Sequence, residues 1–196
     1  MFLTFNDLLN APELMLHRKK KSIGQAKHTK MWKDESELPE FILKNKCNKI
    51  IDVGSGRGNL INIIKNKINH PCQITSTDIK KFHNHEVTFF EIDLSQKDFF
   101  KSIENEKFDL LTCLDVLEHI EKKHIDNILQ TFKNTSFYCI LTIANHSDIL
   151  NGVELHLIQE NEIYWNQHID KYFEIIGLSK HFNERLYIYI LKSKNE

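Results

Sequence analysis

Proline is scarce in this chain. Pro12, Pro39 and Pro71 are the only three, and Pro71 falls between two apolar segments, where it suits a loop. Cysteine is nearly as rare. Cys47, Cys72, Cys113 and Cys139 stand far apart, with no C-x-x-C pair, which removes the zinc and thiol-redox readings. Cys113 and Cys139 sit inside apolar runs and are expected to be buried free thiols, which fits a reducing compartment. No uninterrupted apolar run reaches the roughly 18 residues of a membrane span. The N-terminal MFLTFNDLLNAPELMLHRKKK interrupts its apolar stretch with acidic residues and puts the cationic cluster last. A signal peptide has the opposite order, so a cytoplasmic location is the expectation. An excess of one charge is missing too. The formal net charge is −1, so no global field draws the chain to nucleic acid or membrane. Internal repeats, low-complexity tracts and long linkers are also lacking.

What is present is an ordinary globular balance, 41% hydrophobic and 27% charged over 196 residues, enough for one domain with a full core. The abundance of Lys, Asn, Ile and Phe reads as genome bias. Residues 1–46 are polar, rich in Lys and His and weakly periodic, and form an expected basic appendage or lid. Within them, Glu35 to Leu43 suits a short amphipathic helix through Leu38, Phe41 and Ile42. Residues 47–196 then alternate strand and helix. Lys49–Val53, Gln73–Thr77, Glu86–Ile92, Phe108–Leu114 and Ser136–Ile143 read as strands. Leu60, Ile61, Ile64 and Ile68 form one helical stripe, and Ile125, Ile128, Leu129 and Phe132 another. This order predicts a parallel sheet with helices on both faces. Tyr172–Leu178 and Leu186–Leu191 close the chain. The connection between them is too short for a parallel crossover of a dozen or more residues, so they are expected to pair antiparallel.

The first strand runs into Asp52-Val53-Gly54-Ser55-Gly56-Arg57-Gly58. Glycines here permit positive φ and let a ligand touch the backbone at a helix start. Dinucleotide dehydrogenases show G-x-G-x-x-G around a pyrophosphate. Here the pattern is G-x-G-x-G, with Asn59 where the third dehydrogenase glycine would stand. Asp52 at the mouth of the loop is a poor neighbour for a pyrophosphate and a good one for an ammonium group. Asp78, Asp93 and Asp115 end three successive strands, at the sheet edge where open α/β proteins bind ligands. Asp78 lies about 20 to 25 residues past the loop, where an acidic residue binds ribose hydroxyls. A carboxylate has two acceptor oxygens, matching a vicinal diol. Asp93, one strand further out, suits an adenine amino group.

In this order the residues resemble the class I S-adenosylmethionine-dependent methyltransferases, over roughly Lys49 to Leu191. The resemblance implies a doubly wound α/β fold of Rossmann-like type. Its seven-stranded sheet is mostly parallel, with the last two strands antiparallel. It further implies that Gly54, Ser55, Gly56 and Gly58 hold the methionine end of the cofactor and that Asp52 orients the loop. Asp78 with Ile79 would meet the ribose, and Asp93 with Leu94 the adenine. Leu114 and Asp115 would close the pocket beside the sulfonium.

Methyl transfer from a sulfonium is an in-line displacement. The protein must align the acceptor and, for a hydroxyl, remove a proton. Asp115-Val116-Leu117-Glu118-His119 follows the fourth strand. If a helical turn begins there, Asp115, Glu118 and His119 share one face. Glu154-Leu155-His156 and Tyr164-Trp165 come downstream. Glu118, His119 and His156 are the candidate catalytic residues, and three readings stand open: a divalent cation such as Mg²⁺, a metal-free general base, or a structural Glu-His pair. The segment resembles the E-x-x-E-H … H arrangement of small-RNA 3′-terminal 2′-O-methyltransferases and of ubiquinone-biosynthesis O-methyltransferases, in which the cluster binds a divalent metal. It departs from that pattern in having Asp115 for the first Glu. Trp165 and Tyr164 are either a stacking wall for the acceptor or core, with core expected for one of them. The basic residues His17, Arg18, Lys19, Lys20, Lys21, Lys27, His28, Lys30 and Lys33 form either a solvated face or a phosphate-contacting lid. The expected activity is O-methylation of a small molecule or a glycan sugar unit. The alternatives are RNA 2′-O-methylation, which needs a basic groove continuous with Glu118, His119 and His156, and a catalytically silent cofactor-binding partner subunit.

Overall fold

The computed structural model describes residues 37–194. The basic stretch from His17 to Lys33, and most of the expected 1–46 appendage, lie outside the described residues. The chain begins with α1 (Glu37–Lys44), β1 (Lys49–Val53), α2 (Asn59–Lys67) and β2 (Gln73–Asp78). Then come β3 (Thr88–Glu91), β4 (Phe108–Leu114), α3 (Ile125–Thr135) and β5 (Ser136–Ala144). A small hairpin, β6 (Ile149–Leu150) and β7 (Val153–Glu154), precedes α4 (Glu162–Ile169), β8 (Phe173–His181) and β9 (Leu186–Ser193). Pro71 falls in the loop between α2 and β2.

The main sheet has seven strands in the order β3-β2-β1-β4-β5-β9-β8. The first five run parallel, and β9 is antiparallel to both β5 and β8. β1 and β4 lie at its centre and are covered on both faces, so their apolar runs are nearly continuous. Strand alternation divides them between two cores. Ile51, Leu111, Leu141 and Tyr189 pack on one face with Ile128, Leu129 and Phe132 of α3 and Trp165 and Ile169 of α4. Ile50, Leu110, Ile140 and Ile188 pack on the other with Leu60, Ile61 and Ile64 of α2. Leu38 and Ile42 of α1 and Cys47 join that second core, so residues 37–46 are built into the domain. Each full burial of such a side chain contributes about 1.5–3 kcal/mol. Cys47, Cys72, Cys113 and Cys139 are all free thiols, and Cys72 alone is not fully buried. No helix among the described residues is long and apolar enough to cross a membrane.

The expected strands are present, the first and fourth with the expected ends. The third is shortened to Thr88–Glu91. It is an edge strand paired only with β2, and Val87 is drawn into a turn by its N–H donating to the His85 carbonyl at 3.0 Å. The last pair is longer than expected, because the hairpin closes through Phe182, Asn183 and Glu184, all at positive φ, and admits a bulge between Ile175 and Gly177. The expected helical turn at Asp115 is not formed. Asp115 sits at φ +55 and the short 3-10 turn begins only at Leu117, so Asp115 does not share a helical face with Glu118 and His119. Its backbone N–H is taken by Thr142 of β5, through the carbonyl oxygen and Oγ1, each at 3.0 Å.

Candidate active site

The strand order reverses between β1 and β4, and the candidate residues gather at the C-terminal ends of these strands and their neighbours, where open α/β sheets bind ligands. The glycine loop leaves β1 and is pinned by Gly54 and Ser55 N–H groups, both donating to the Thr77 carbonyl at 2.9 Å. Gly54 has φ +71, and a Cβ on it would stand 2.3 Å from Val116 Cγ2, so only glycine lets the loop pass beside the β4 exit. Gly56 has φ +48 with nothing within 4 Å of the Cβ position. That side of the loop is open to a ligand.

Two carboxyl groups lie under the loop. Asp78 Oδ2 accepts from Gly56 N–H at 2.8 Å and its Oδ1 from Ile79 N–H at 2.8 Å. Burial pushes its carboxyl above the ordinary value against the pull of these two donors. Asp52 is 3% exposed. Its register partner on β4 is Thr112, whose hydroxyl donates to Asp52 Oδ1 at 2.9 Å. Burial raises the Asp52 carboxyl to about 7; the Thr112 bond opposes this and the nearby Asp78 charge adds to it. The hydroxyls of Ser55 and Thr77 are buried with no hydrogen-bond partner among the described residues. The region thus combines an open backbone, orphan hydroxyls and penalised negative charge, a complement for a polar cation. Asp93 is exposed and its oxygens are engaged locally, Oδ1 by Ser95 N–H and hydroxyl at 2.9 and 2.7 Å and Oδ2 by Gln96 Nε2 at 3.1 Å. Leu94 is buried, while Leu114 is partly buried.

The second group lies beyond β4 and β5. Ligand atoms of Glu118, His119 and His156 all fall within 4.8 Å of one another. Asp115 does not join that cluster; its Oδ1 accepts from the Thr142 hydroxyl at 3.0 Å. Glu118 is completely buried. Its Oε1 accepts from Ala144 N–H at 3.0 Å, and its Oε2 is buried with no partner among the described residues. Burial pushes this carboxyl well above the ordinary range, and the Asp115 charge adds to the effect. His119 Nδ1 faces the Leu155 carbonyl at 2.8 Å, and His156 Nδ1 faces the His146 carbonyl. A carbonyl only accepts, so Nδ1 carries the proton in both rings and the lone pair lies on Nε2. Burial pushes His156 below its ordinary value, keeping it neutral. Imidazoles held by backbone carbonyls, beside a buried carboxyl oxygen with no partner among the described residues, are the arrangement of a cation site as well as of a base.

Trp165 is fully buried in the core, so of the Tyr164–Trp165 pair it is the core member. Tyr164 is only partly buried and meets Trp165 edge-on at 5.4 Å. Several supporting residues had no signal by motif: Thr112 under Asp52, Thr142 beside Asp115, and His146, whose carbonyl orients His156. The β6–β7 hairpin was also missed. Its turn is Asn151-Gly152, at φ +52 and +82, a strong hairpin pair obscured by strands of only two residues each.

A methyltransferase-domain family matches the chain over residues 19–186. The chain belongs to this family. It is a class I, S-adenosylmethionine-dependent methyltransferase. Among solved structures it is similar to magnesium protoporphyrin IX methyltransferase from Synechocystis PCC 6803, solved with bound SAH, at 16% identity and TM-score 0.65, covering 96% of this chain and 97% of that one. A Pyrococcus horikoshii OT3 protein is similar at 13% identity and TM-score 0.64, covering 90% and 94%. The methyltransferase domain of bacterial CtHen1-CN is similar at 16% identity and TM-score 0.57, covering 81% and 96%. No curated protein sequence matches the chain. At these identities the structural likenesses speak for the fold.

Proposed function

We propose that this methyltransferase methylates an oxygen acceptor, a small molecule or a sugar unit of a glycan, held at Glu118, His119 and His156. The observation that carries the reading is the convergence of these three side chains within 4.8 Å, with both imidazoles oriented by backbone carbonyls. Gly54, Ser55, Gly56 and Gly58 would cradle the methionine end of the cofactor, with Asp52 beneath its ammonium group. Asp78 with Ile79 would meet the ribose, and Leu114 and Asp115 the sulfonium side. Asp93 with Leu94 would meet the adenine, for which Asp93 must exchange its Ser95 and Gln96 contacts. Bound S-adenosylmethionine supplies a methyl group on a sulfonium leaving group. Glu118 Oε2 and the Nε2 atoms of His119 and His156 fit a divalent cation, which would lower the pKa of the acceptor hydroxyl. Without one, an imidazole Nε2 takes the acceptor proton directly, as a neutral histidine does near neutral pH.

Two observations favour a second reading, RNA 2′-O-methylation: the Glu-His … His set itself, and the fold likeness to the CtHen1 domain. One experiment separates the cases. Labelled S-adenosylmethionine is offered with phenolic and catecholic small molecules, oligosaccharides, and short RNAs with free 3′ ends, with and without a chelator. Transfer to the first two classes, lost in His119→Ala, supports the proposal. Transfer to RNA alone selects the second reading. Undiminished transfer by His119→Ala overturns the acceptor site. Cofactor binding with no transfer to any class leaves the silent partner subunit.

A further inference from the structure

Glu154 closes the β6–β7 hairpin and makes more contacts than a partly exposed glutamate needs. Its Oε1 accepts from Asp148 N–H at 2.8 Å and from His156 N–H at 2.9 Å, and its Oε2 accepts from the Ser147 hydroxyl. Leu155 N–H donates to the Asp148 carbonyl at 2.8 Å. One carboxylate thus ties both sides of the segment that runs from β5 through the hairpin to His156. The carbonyls of that same segment orient the site. His146 C=O holds His156 Nδ1 and Leu155 C=O holds His119 Nδ1. The two carbonyls lie on opposite sides of the turn, and Glu154 fixes their spacing.

We propose that Glu154 is the positioning residue of the acceptor site: by clamping Ser147, Asp148 and His156 it sets the tautomer and orientation of both imidazoles. This rests on the acceptor-site reading above. The contacts of Glu154 lie within the hairpin segment, and its carboxylate stands outside the cluster of Glu118, His119 and His156 ligand atoms. It acts through two backbone carbonyls, which keep the proton on Nδ1 and the lone pair on Nε2. A loop staple without this role would change stability and leave the ring tautomers as they are.

The test reads the rings directly and needs no acceptor. Long-range ¹⁵N–¹H correlation at pH 8, on full-length protein saturated with S-adenosylhomocysteine, reports the tautomers of His119 and His156. In the wild type both rings are expected as Nδ1–H. In Glu154→Ala both are expected to shift mostly to Nε2–H, while affinity for S-adenosylhomocysteine stays within about threefold, because Asp52, Asp78 and the glycine loop are untouched. Glu154→Gln keeps the carbonyl oxygen that takes the Asp148 and His156 N–H groups and is expected to retain Nδ1–H. If Glu154→Ala does not fold, Glu154→Asp, one methylene short of those groups, is expected to lose at least half the Nδ1–H population of His156. Unchanged tautomers in the alanine or aspartate variant overturn the proposal, as does cofactor affinity that falls in step with the tautomer change. Full methylation by His119→Ala overturns the acceptor-site reading instead, whatever the rings show.

Discussion

Replacing Asp52 by Asn is expected to move stability and cofactor affinity in opposite directions. Asp52 is 3% exposed, and burial lifts its carboxyl from 3.8 to about 7. The folded protein therefore keeps a proton on Asp52 over a pH range in which the unfolded chain has lost it. A group raised in this way contributes stability that is complete below the unfolded value near 4 and is lost as pH rises through about 7. A shift of roughly three units corresponds to at most about 4 kcal/mol at pH 8, and relaxation of the site reduces it. Asparagine has the same shape, still accepts the Thr112 hydroxyl, and never ionises. The cofactor-free Asp52→Asn protein is expected to be more stable than wild type at pH 8 by about 2 kcal/mol, raising Tm by roughly 4–8 °C for a chain of this size. The difference should fade toward pH 5. Affinity for S-adenosylhomocysteine should fall at least tenfold at pH 8, about 1.4 kcal/mol, since the amide has no charge for the ligand's ammonium group. Wild-type affinity should itself weaken as pH drops below about 7, approaching tenfold per unit. Thermal melts of the cofactor-free protein at pH 5, 6.5 and 8, with calorimetric titrations at the same values, check both halves. A variant less stable than wild type at pH 8, or one that binds equally well, refutes the reasoning.

Three further outcomes are expected. Gly56→Ala retains an open Cβ position at φ +48, so melts should show only the left-handed penalty of about 1–2 kcal/mol, while calorimetry shows S-adenosylhomocysteine binding weakened more than tenfold; unaltered binding would place the ligand elsewhere. Gly54→Ala adds a contact of 2.3 Å with Val116 Cγ2, so it should cost more than Gly56→Ala. Val116→Ala in that background should recover the excess but not the left-handed penalty, read as a coupling energy in a double-mutant cycle. Glu118→Gln keeps the Ala144 N–H bond and removes a carboxyl that burial holds well above its ordinary value; it should fold with cofactor affinity within about threefold of wild type, and a large loss would move Glu118 into the cofactor pocket.

The parts of the fold legible in the sequence are those coded by short-range pattern. Ile125, Ile128, Leu129 and Phe132 declare one face of α3, and all four are fully buried. The short connection before Leu186 declares an antiparallel pair, and β8 and β9 form it. Where a distant strand decides, the local pattern misleads. Asp115 reads as the start of a helical turn only until Thr142, 27 residues on, takes its N–H. The side chain of Asp93, by contrast, is held by Ser95 and Gln96, close by in the sequence. His156 reaches Glu118 because Ile158 N–H bonds to the Glu118 carbonyl at 3.0 Å, a closure with no sequence signature. Resemblance to a family picked His156 out where periodicity gave no reason to.

The buried carboxyls share one physical logic. Asp52, Asp78 and Glu118 are each pushed upward mainly by burial, so each penalises its own charge, which the fold alone gains nothing by keeping. A sequence selected for stability alone would place apolar or amide side chains there. Retaining acids makes sense if the missing counter-charge arrives with a ligand. At Asp52 and Asp78 the proposed ligand carries an ammonium and a sulfonium group; at Glu118 it is a cation or a proton leaving the acceptor. Val116 packs against Gly54 and precedes the turn that carries Glu118 and His119. The glycine loop and the turn that carries Glu118 and His119 therefore share a contact.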